Sequence, residues 1–469
     1  MTGPIPHAVH LVGAGGMHMS AIGRILLARG HAVSGSDLRR SGLTDALAAL
    51  GARIVIGPHD AANVGDAGLV VTTSAATADN PELEEARRRG VPLIKRADMV
   101  ARLMDGKVGV AVAGCHGKST TSGLVAFILK ETGRDPTYLI GAEVAALGGN
   151  AAAGAGEHVV VEADEYDRAF LSYHPRFALV TNVEADHLDY YKTWAAVKEA
   201  FAGFVVNVEP GGTLVLCAAN AEAFALRDHA PAGVEVVTYG LASDPTSARA
   251  SAADWQADEI EVEGLSQRFT VYYRGKRLGR FTIALPIRHN VLNALGAIAL
   301  CGAMGLSPDE IRGALSRYTG VRRRFERVGE AAGVLVIDDY AHHPTEIADT
   351  AAAARLHFPG RRTVAVFQPH TYARTRYLLD GFRNCFHDFD RLFILETYAA
   401  REAIADGMTG AQLAGEIAAP KPGYAATFEE AANLITAELR PGDVFFTVGA
   451  GDVDTVGPMV LERLGRAAT

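Results

Sequence analysis

The sequence predicts an α/β protein of three domains: an N-terminal Rossmann-like parallel sheet, a central α/β domain with a small antiparallel sheet, and a C-terminal Rossmann-like α/β domain. Three observations lead there. The 469 residues exceed the ~250–300 at which one hydrophobic core stops growing. Apolar, β-branched runs of strand length alternate with helix-length segments, as parallel sheets covered on both faces require. The alternation restarts at His7, Val108 and Gly333, each time on a strand that runs into a glycine or acidic turn. The expected domains are 1–105, 106–320 and 321–469.

The first block opens on the strand His7–Val12, turns at Gly13-Ala14-Gly15-Gly16 and enters a helix expected over Ser20–Arg29. A second strand, His31–Asp37, ends in an acid, and strand runs follow at Arg53–Ile56 and Leu69–Thr73. Glycines between a strand and a helix free backbone N–H groups at the helix N-terminus, which suits a diphosphate. With Asp37 the turn nearly spells a dinucleotide fingerprint. The third glycine position is Met17 or His18, however, so the turn licenses a diphosphate more firmly than NAD.

The second block begins with the apolar run Val108–Ala113, then Gly114-Cys115-His116-Gly117-Lys118-Ser119-Thr120-Thr121, then a helix expected over Ser122–Lys130. The usual P-loop wants a glycine where Val112 stands, so this is a shortened form, Gly-x-x-Gly-Lys-Ser. Lys118 would reach the terminal phosphates of a nucleotide and the Ser119 hydroxyl would hold Mg²⁺. A strand over His158–Glu162 runs into Ala163-Asp164-Glu165-Tyr166-Asp167. Carboxylates crowded there repel unless a cation or solvent sits among them. Beside a phosphate loop Glu162 is the natural Mg²⁺ ligand, because Mg²⁺ prefers hard oxygens plus water. Phe177–Asn182 is a further strand, and beyond it Asp186 and His187 would complete a second metal site or touch the nucleotide. Ala145–Gly156 reads as loop or small-residue helix, and Gly264–Leu285 alternates as antiparallel strands do. A helix over Asn290–Met304 carries Asn293 at a spacing that suits a base or ribose, and Pro308 opens the next helix.

The third block starts with Gly333–Tyr340, a buried strand ending in Asp338 and Asp339, and strands follow near Arg362–Phe367, Arg391–Leu395 and Asp443–Val448. The ligand crevice of such a sheet lies at its strand C-termini. His342, His343, Gln368, His370, Arg374 and Arg376 gather there, and Arg binds carboxylates bidentately. Before this block Arg322-Arg323-Arg324 forms a basic hinge, with a guanidinium available to a transferring phosphoryl group.

Bulk properties exclude several classes. Net charge is −9 without long basic runs, which argues against nucleic-acid binding. The four cysteines are scattered and form no CxxC pair, so neither structural zinc nor a disulfide framework is expected. Apolar runs are strand-sized, short of the ~20 residues of a membrane span. A strand begins almost at the N-terminus, leaving no room for a signal peptide, so a cytoplasmic location is expected.

Together these motifs resemble the Mur ligases, ATP-dependent ligases of peptidoglycan precursors. The resemblance rests on Gly13-x-Gly15-Gly16-x-x-Met19-Ser20, Ser34-Gly35-Ser36-Asp37, Thr73-Ser74-Ala75, Asp79-Asn80-Pro81-Glu82 and Gly114-x-His116-Gly117-Lys118. It continues through Glu162-Ala163-Asp164-Glu165, Thr181-Asn182-Val183-Glu184-x-Asp186-His187, Arg288-His289-Asn290-x-x-Asn293-Ala294 and Arg323-Arg324-Phe325. Asp338-Asp339-Tyr340-x-His342-His343-Pro344-Thr345-Glu346 and Phe367-Gln368-Pro369-His370 complete it, so it runs nearly end to end.

The resemblance implies a sugar-nucleotide domain, a central P-loop ATPase and an amino-acid domain. ATP would phosphorylate the lactyl carboxylate of UDP-N-acetylmuramate. The amine of L-alanine would then attack the acyl phosphate, giving an amide, ADP and phosphate. ATP and Mg²⁺ (or Mn²⁺) are the implied cofactors. No nucleic-acid partner or membrane insertion is expected, and the chain would act as a monomer or homodimer. By the same carry-over Gly114, His116, Gly117, Lys118, Ser119, Thr120, Asn293, Arg324 and Asp339 serve ATP, and Ser119, Glu162 and His187 the metal. Gly13, Gly15, Gly16, Met19, Ser20, Asp37 and Ser74 would hold the UDP-sugar, with His370 and Arg374 at the amino acid. Lys118, His187, His342 and Arg374 are the expected catalytic set. The chain departs from the family at Cys115, where Thr is usual, at Tyr166, and at His18, which replaces a glycine. No equivalent of the carbamylated lysine of sister ligases is expected, since Lys198 falls at the wrong spacing. Three other readings compete: a recycling ligase that attaches a tripeptide to the same sugar nucleotide, an NAD-dependent oxidoreductase, and a non-catalytic nucleotide-gated binding module.

Overall fold

The computed structural model describes residues 3–244, 247–400 and 407–467. The first sheet holds β1 (Ala8–Val12), β2 (Ala32–Asp37), β3 (Arg53–Ile56), β4 (Leu69–Thr72) and β5 (Leu93–Lys95) in the order β3-β2-β1-β4-β5. All pairings are parallel. Strand order reverses across β1, so a crevice opens beyond its C-terminal end, where Gly13–Gly16 lies. The helix there spans Met17–Ala28 and buries Ile22, Ile25 and Leu26. It begins at Met17 rather than Ser20 because the extended Gly16 already serves as its N-cap.

Under this sheet lies a polar knot that sequence reasoning missed. Glu82 is 0% exposed. It accepts hydrogen bonds from Ser36 Oγ at 2.7 Å and Asn63 Nδ2 at 2.7 Å, and contacts His10 Nε2 at 3.0 Å and His59 Nδ1 at 3.2 Å. Burial alone would raise the carboxyl pKa, but bonds from His10, Asn63 and Ser36 outweigh it and pull it down to about 2. A depressed acid stabilises the fold above its unfolded pKa, and that stability is lost as pH falls through the folded value. Glu82→Ala is therefore expected to cost about 3–5 kcal/mol at neutral pH, because it strands several buried partners. Urea melts of both proteins check this. Melts from pH 5 down to pH 2 should show the wild type losing the advantage the variant never had.

The second sheet contains β6 (Val108–Ala113), β7 (Thr137–Val144), β8 (Gly149–Ala152), β9 (His158–Glu162), β10 (Phe177–Val180), β11 (Thr213–Cys217), β12 (Glu235–Leu241), β13 (Trp255–Glu263), β14 (Ser266–Tyr273) and β15 (Lys276–Ile283). Their order is β15-β14-β13-β12-β11-β10-β6-β9-β7-β8. β6 lies between β9 and β10, so the ends of both flank the loop that follows it. Three expectations are corrected. The helix after that loop spans Lys118–Glu131 and not Ser122–Lys130: left-handed Gly117 (φ 80°) caps it, which draws Lys118, Ser119 and Thr120 into its first turn. Ala145–Gly156 is not all loop or helix: after a short turn Gly148 and Gly149, both at positive φ, reverse the chain into β8, antiparallel to β7. The strands within Gly264–Leu285 do not make a separate small sheet. They extend the main one, because β13 pairs with β12, and the two-residue turns between β13, β14 and β15 require antiparallel neighbours.

The third sheet contains β16 (Glu326–Ala331), β17 (Val334–Asp339), β18 (Thr363–Phe367), β19 (Arg391–Leu395), β20 (Gly423–Ala425) and β21 (Val444–Val448), in the order β16-β17-β21-β18-β19-β20. Only the edge strand β16, which the sequence reading lacked, runs antiparallel to its neighbour. Ala332 and Gly333, both at positive φ, turn it into β17, the pattern of a tight hairpin.

Two compact units result. Met1–Glu261, Arg268–Ile283 and Asn290–Thr319 form one; Val262–Gln267, Ala284–His289 and Gly320–Thr469 form the other. The first two sheets thus share a unit. Asn150 Nδ2 of β8 donates to Met17 O at 3.0 Å, and Arg96 pairs with Asp164 at 3.0 Å, tying them together. Among the described residues no helix is long and apolar enough to cross a membrane.

Candidate active site

The loop after β6 is shaped by close backbone approach. A Cβ on Gly114 (φ +136°) would sit 2.0 Å from Thr181 Oγ1, and one on Gly117 would sit 2.5 Å from Asn293 Oδ1. The end of β10 holds the loop in place. Thr181 Oγ1 and Asn182 Nδ2 donate to His116 O at 2.6 and 3.0 Å, and His116 N donates to Asn182 Oδ1 at 2.9 Å. Sequence reasoning read Thr181 and Asn182 only as a polar strand end. Cys115 Sγ donates to Glu184 O and accepts from Glu184 N, the bonds that a threonine hydroxyl would make there. Burial pushes its thiol well up, so it stays protonated. Asn293 lies against Gly117, with its Nδ2 donating to Asn290 Oδ1 at 3.1 Å.

Lys118 Nζ donates to Gly114 O at 2.6 Å and pairs with Glu165 at 2.8 Å. Burial works against its charge, but Glu165 and Asp164 outweigh it and raise the pKa, so the ammonium persists at neutral pH. On the same face Ser119 hydrogen-bonds the Glu162 carboxylate, which also accepts from Gly141 N at 2.7 Å. Glu162 is held above the usual carboxylate range by burial, although Lys118 and both hydrogen bonds pull the other way. His187 lies 3.5 Å from Glu165 and 3.7 Å from Asp186. Burial would lower its pKa; the bond to Glu165 and the charge of Asp186 raise it. Glu165, Asp186 and His187 each offer a ligand atom, all within 4.8 Å of one another. A helix N-terminus with no side-chain cap and no acid in its first turn fits a polyphosphate. A buried carboxylate touching a loop hydroxyl fits Mg²⁺.

At the first sheet Gly15 N donates to Asp37 Oδ2 at 2.8 Å and Arg39 N to Asp37 Oδ1 at 3.1 Å, so Asp37 shapes the glycine turn itself. Ser74 is exposed in the turn after β4, and a Cβ on Gly13 would meet the neighbouring Thr73 at 2.9 Å. Met19 and Ser20 differ from expectation. Both side chains face the core, at 2% and 0% exposure, and Ser20 Oγ donates to Met17 O. Helical periodicity turns both side chains inward.

In the second unit His342, His370 and Arg374 come together. Arg374 Nη1 lies 2.9 Å from His370 Nδ1, and the rings of His342 and His370 are 6.1 Å apart. Glu346 pairs with Arg324 at 3.2 Å and accepts from His342 N at 3.1 Å. Both oxygens of Asp339 accept backbone bonds, from Ala341 N at 2.8 Å and Phe325 N at 3.0 Å. Burial raises its pKa to about 6 even beside Arg324. Arg323 is tied to Asp338 and to the Gly449 and Gly451 carbonyls. It braces the strand ends.

Known proteins share the sequence and fold of this chain. Residues 8–108 match the model described as Mur ligase family, catalytic domain; 112–301 match the Mur ligase middle domain; 323–451 match the Mur ligase, glutamate ligase domain. A UDP-N-acetylmuramate–L-alanine ligase of Anaeromyxobacter sp. (strain Fw109-5) is 44% identical over 468 residues, covering 98% of both chains. One from Geobacter sp. (strain M21) is 42% identical over 463 residues, again covering 98% of both. Among solved structures, the UDP-N-acetylmuramate-alanine ligase of Thermotoga maritima superposes with a TM-score of 0.83 at 28% identity, covering 98% of this chain and 100% of that one.

Proposed function

The chain belongs to the Mur ligase family, and from that premise we propose that it joins L-alanine to the lactyl carboxylate of UDP-N-acetylmuramate, with transfer of the γ-phosphoryl group of ATP to that carboxylate and release of ADP and then phosphate. The observation that carries this reading is the Ser119–Glu162 contact beside Lys118 on a capless helix N-terminus. Phosphoryl transfer asks a protein for positioning and charge neutralisation more than for covalent chemistry. Lys118 leaves Glu165 for the transferring phosphoryl group, while Gly114 to Thr120 cradle the nucleotide and Asn293 supports Gly117. Ser119, Glu162 and His187 would hold Mg²⁺. A bound Mg²⁺ supplies charge neutralisation at the phosphate oxygens. Gly13 to Gly16 hold the UDP diphosphate, and the turn carrying Ser74 borders them. Arg374 takes the amino-acid carboxylate bidentately. His342 and His370 are the imidazoles available to accept the ammonium proton before attack. Residues 1–105, 106–320 and 321–469 divide these tasks, and the reaction takes place in the cytoplasm. Membership of this family replaces the oxidoreductase reading of the first glycine turn.

The test is ADP release from ATP and UDP-N-acetylmuramate with L-alanine, glycine, L-serine or a muramyl tripeptide offered in turn. L-Alanine should give the highest kcat/KM, with glycine and L-serine measurable, because one methyl or hydroxyl commands only ~1–3 kcal/mol. Turnover with the tripeptide alone would contradict the proposal. Arg374→Ala should raise KM for L-alanine about 10–100-fold through loss of a charged hydrogen bond, with KM for ATP nearly unchanged in steady-state assays.

A further inference from the structure

His18 is unused by the account above, and its surroundings are unusual. It is the second residue of the helix Met17–Ala28, directly after the glycine turn. Its Nε2 is shut off from solvent and has no hydrogen-bond partner. The charges that act on it come from the middle sheet and its approach: Arg96, Asp164 and Lys118. Arg96 and Asp164 pair with each other, and Lys118 is engaged by Glu165, so none of them satisfies the imidazole. Burial first, then Arg96, lowers its pKa to about 4, which leaves the ring neutral and able to donate from one nitrogen without bringing a charge.

The placement gives the unmet nitrogen a purpose. On one side lies the glycine turn that suits a diphosphate; on the other lies the phosphate loop with Lys118. A sugar nucleotide anchored at the first and phosphorylated at the second must carry its carboxyl arm past His18. We infer that His18 Nε2 donates a hydrogen bond to the carboxyl end of the acceptor sugar nucleotide and sets the distance at which that carboxylate meets the phosphoryl group. This rests on the proposed ligase function. It makes His18 a specificity residue for the carboxylate-bearing arm, apart from the groups that hold the diphosphate. A buried nitrogen without a partner costs free energy in the free protein, and a hydrogen bond to the carboxylate removes that cost.

Calorimetric titration of the full chain with UDP-N-acetylmuramate and with UDP-N-acetylglucosamine, which lacks the lactyl carboxylate, separates this role from a structural one. His18→Ala should weaken UDP-N-acetylmuramate binding about tenfold, the usual worth of one hydrogen bond to a charged group. It should leave UDP-N-acetylglucosamine binding within twofold. His18→Gln, which retains a donor, should recover most of the loss, and thermal melts check that both variants fold. Equal weakening of both nucleotides, or weakening of neither, overturns the inference. A wild type that binds neither nucleotide overturns the ligase reading itself.

Discussion

Lys118→Ala is expected to lower kcat about 10³-fold while UDP-N-acetylmuramate still binds. The cost follows from where charge develops. A fixed ammonium at a water-poor loop stabilises a transferring phosphoryl group far more than it would in water, and removing one such electrostatic donor costs about 10²–10³-fold. The loop cannot easily substitute another cation, since Arg96 is committed to Asp164. The variant also strands Glu165, whose carboxylate now pairs with Lys118 at 2.8 Å and is almost fully buried. Loss of one partner of a buried pair costs about 3–5 kcal/mol, so a drop in melting temperature should accompany the loss of rate. Lys118→Ala combined with Glu165→Gln removes the stranded charge. It should recover stability but not kcat, and rapid-quench measurement of ADP formation distinguishes the two effects.

Glu162→Gln should impair metal use strongly with little harm to the fold. The substitution is isosteric, and the amide oxygen can still accept from Gly141 N, which now donates at 2.7 Å. Burial disfavours the charged carboxylate here, so a neutral amide should leave the melting temperature unchanged or raise it. Activity should behave in the opposite way. A hard anionic oxygen is lost next to the Ser119 hydroxyl, and the Mg²⁺ concentration for half-maximal rate should rise at least tenfold, with kcat down about 10²-fold. Titration of initial rate against Mg²⁺ at fixed ATP measures both. Normal Mg²⁺ dependence in this variant would remove Glu162 from the metal site.

The parts of the fold that depend on local pattern were legible in the sequence. Val108–Ala113 and Val334–Asp339 are β-branched and apolar because parallel strands are buried on both faces. The glycines at 13 and 117 mark turns because only glycine enters positive φ without strain. What failed depends on partners distant in the chain or on small residues. β8 is an alanine-rich edge strand whose conformation comes from pairing with β7, and β16 hides behind an arginine run until its hairpin turn is known. The brace that Thr181 and Asn182 give to His116 spans more than sixty residues of chain. Pattern alone does not predict a bond of that kind. Motif matching also marked Met19 and Ser20 as ligand residues, whereas the helix turns both into the core. The site residues that did come together, Lys118 with Ser119 and Glu162 and, in the second unit, His342 with His370 and Arg374, all lie at or beyond the C-terminal ends of parallel strands, where this topology places its ligands.

The central claim is that the lactyl carboxylate is phosphorylated before the amine attacks it. UDP-N-acetylmuramate labelled with ¹⁸O in that carboxylate tests it directly. In the first step a carboxylate oxygen bonds to the γ-phosphorus and ADP leaves; in the second the amine of L-alanine displaces the phosphate, and the acyl C–O bond breaks. With the enzyme, ATP, Mg²⁺ and L-alanine, mass analysis should find one ¹⁸O in the released phosphate for each amide formed. Unlabelled phosphate alongside amide formation would contradict the account.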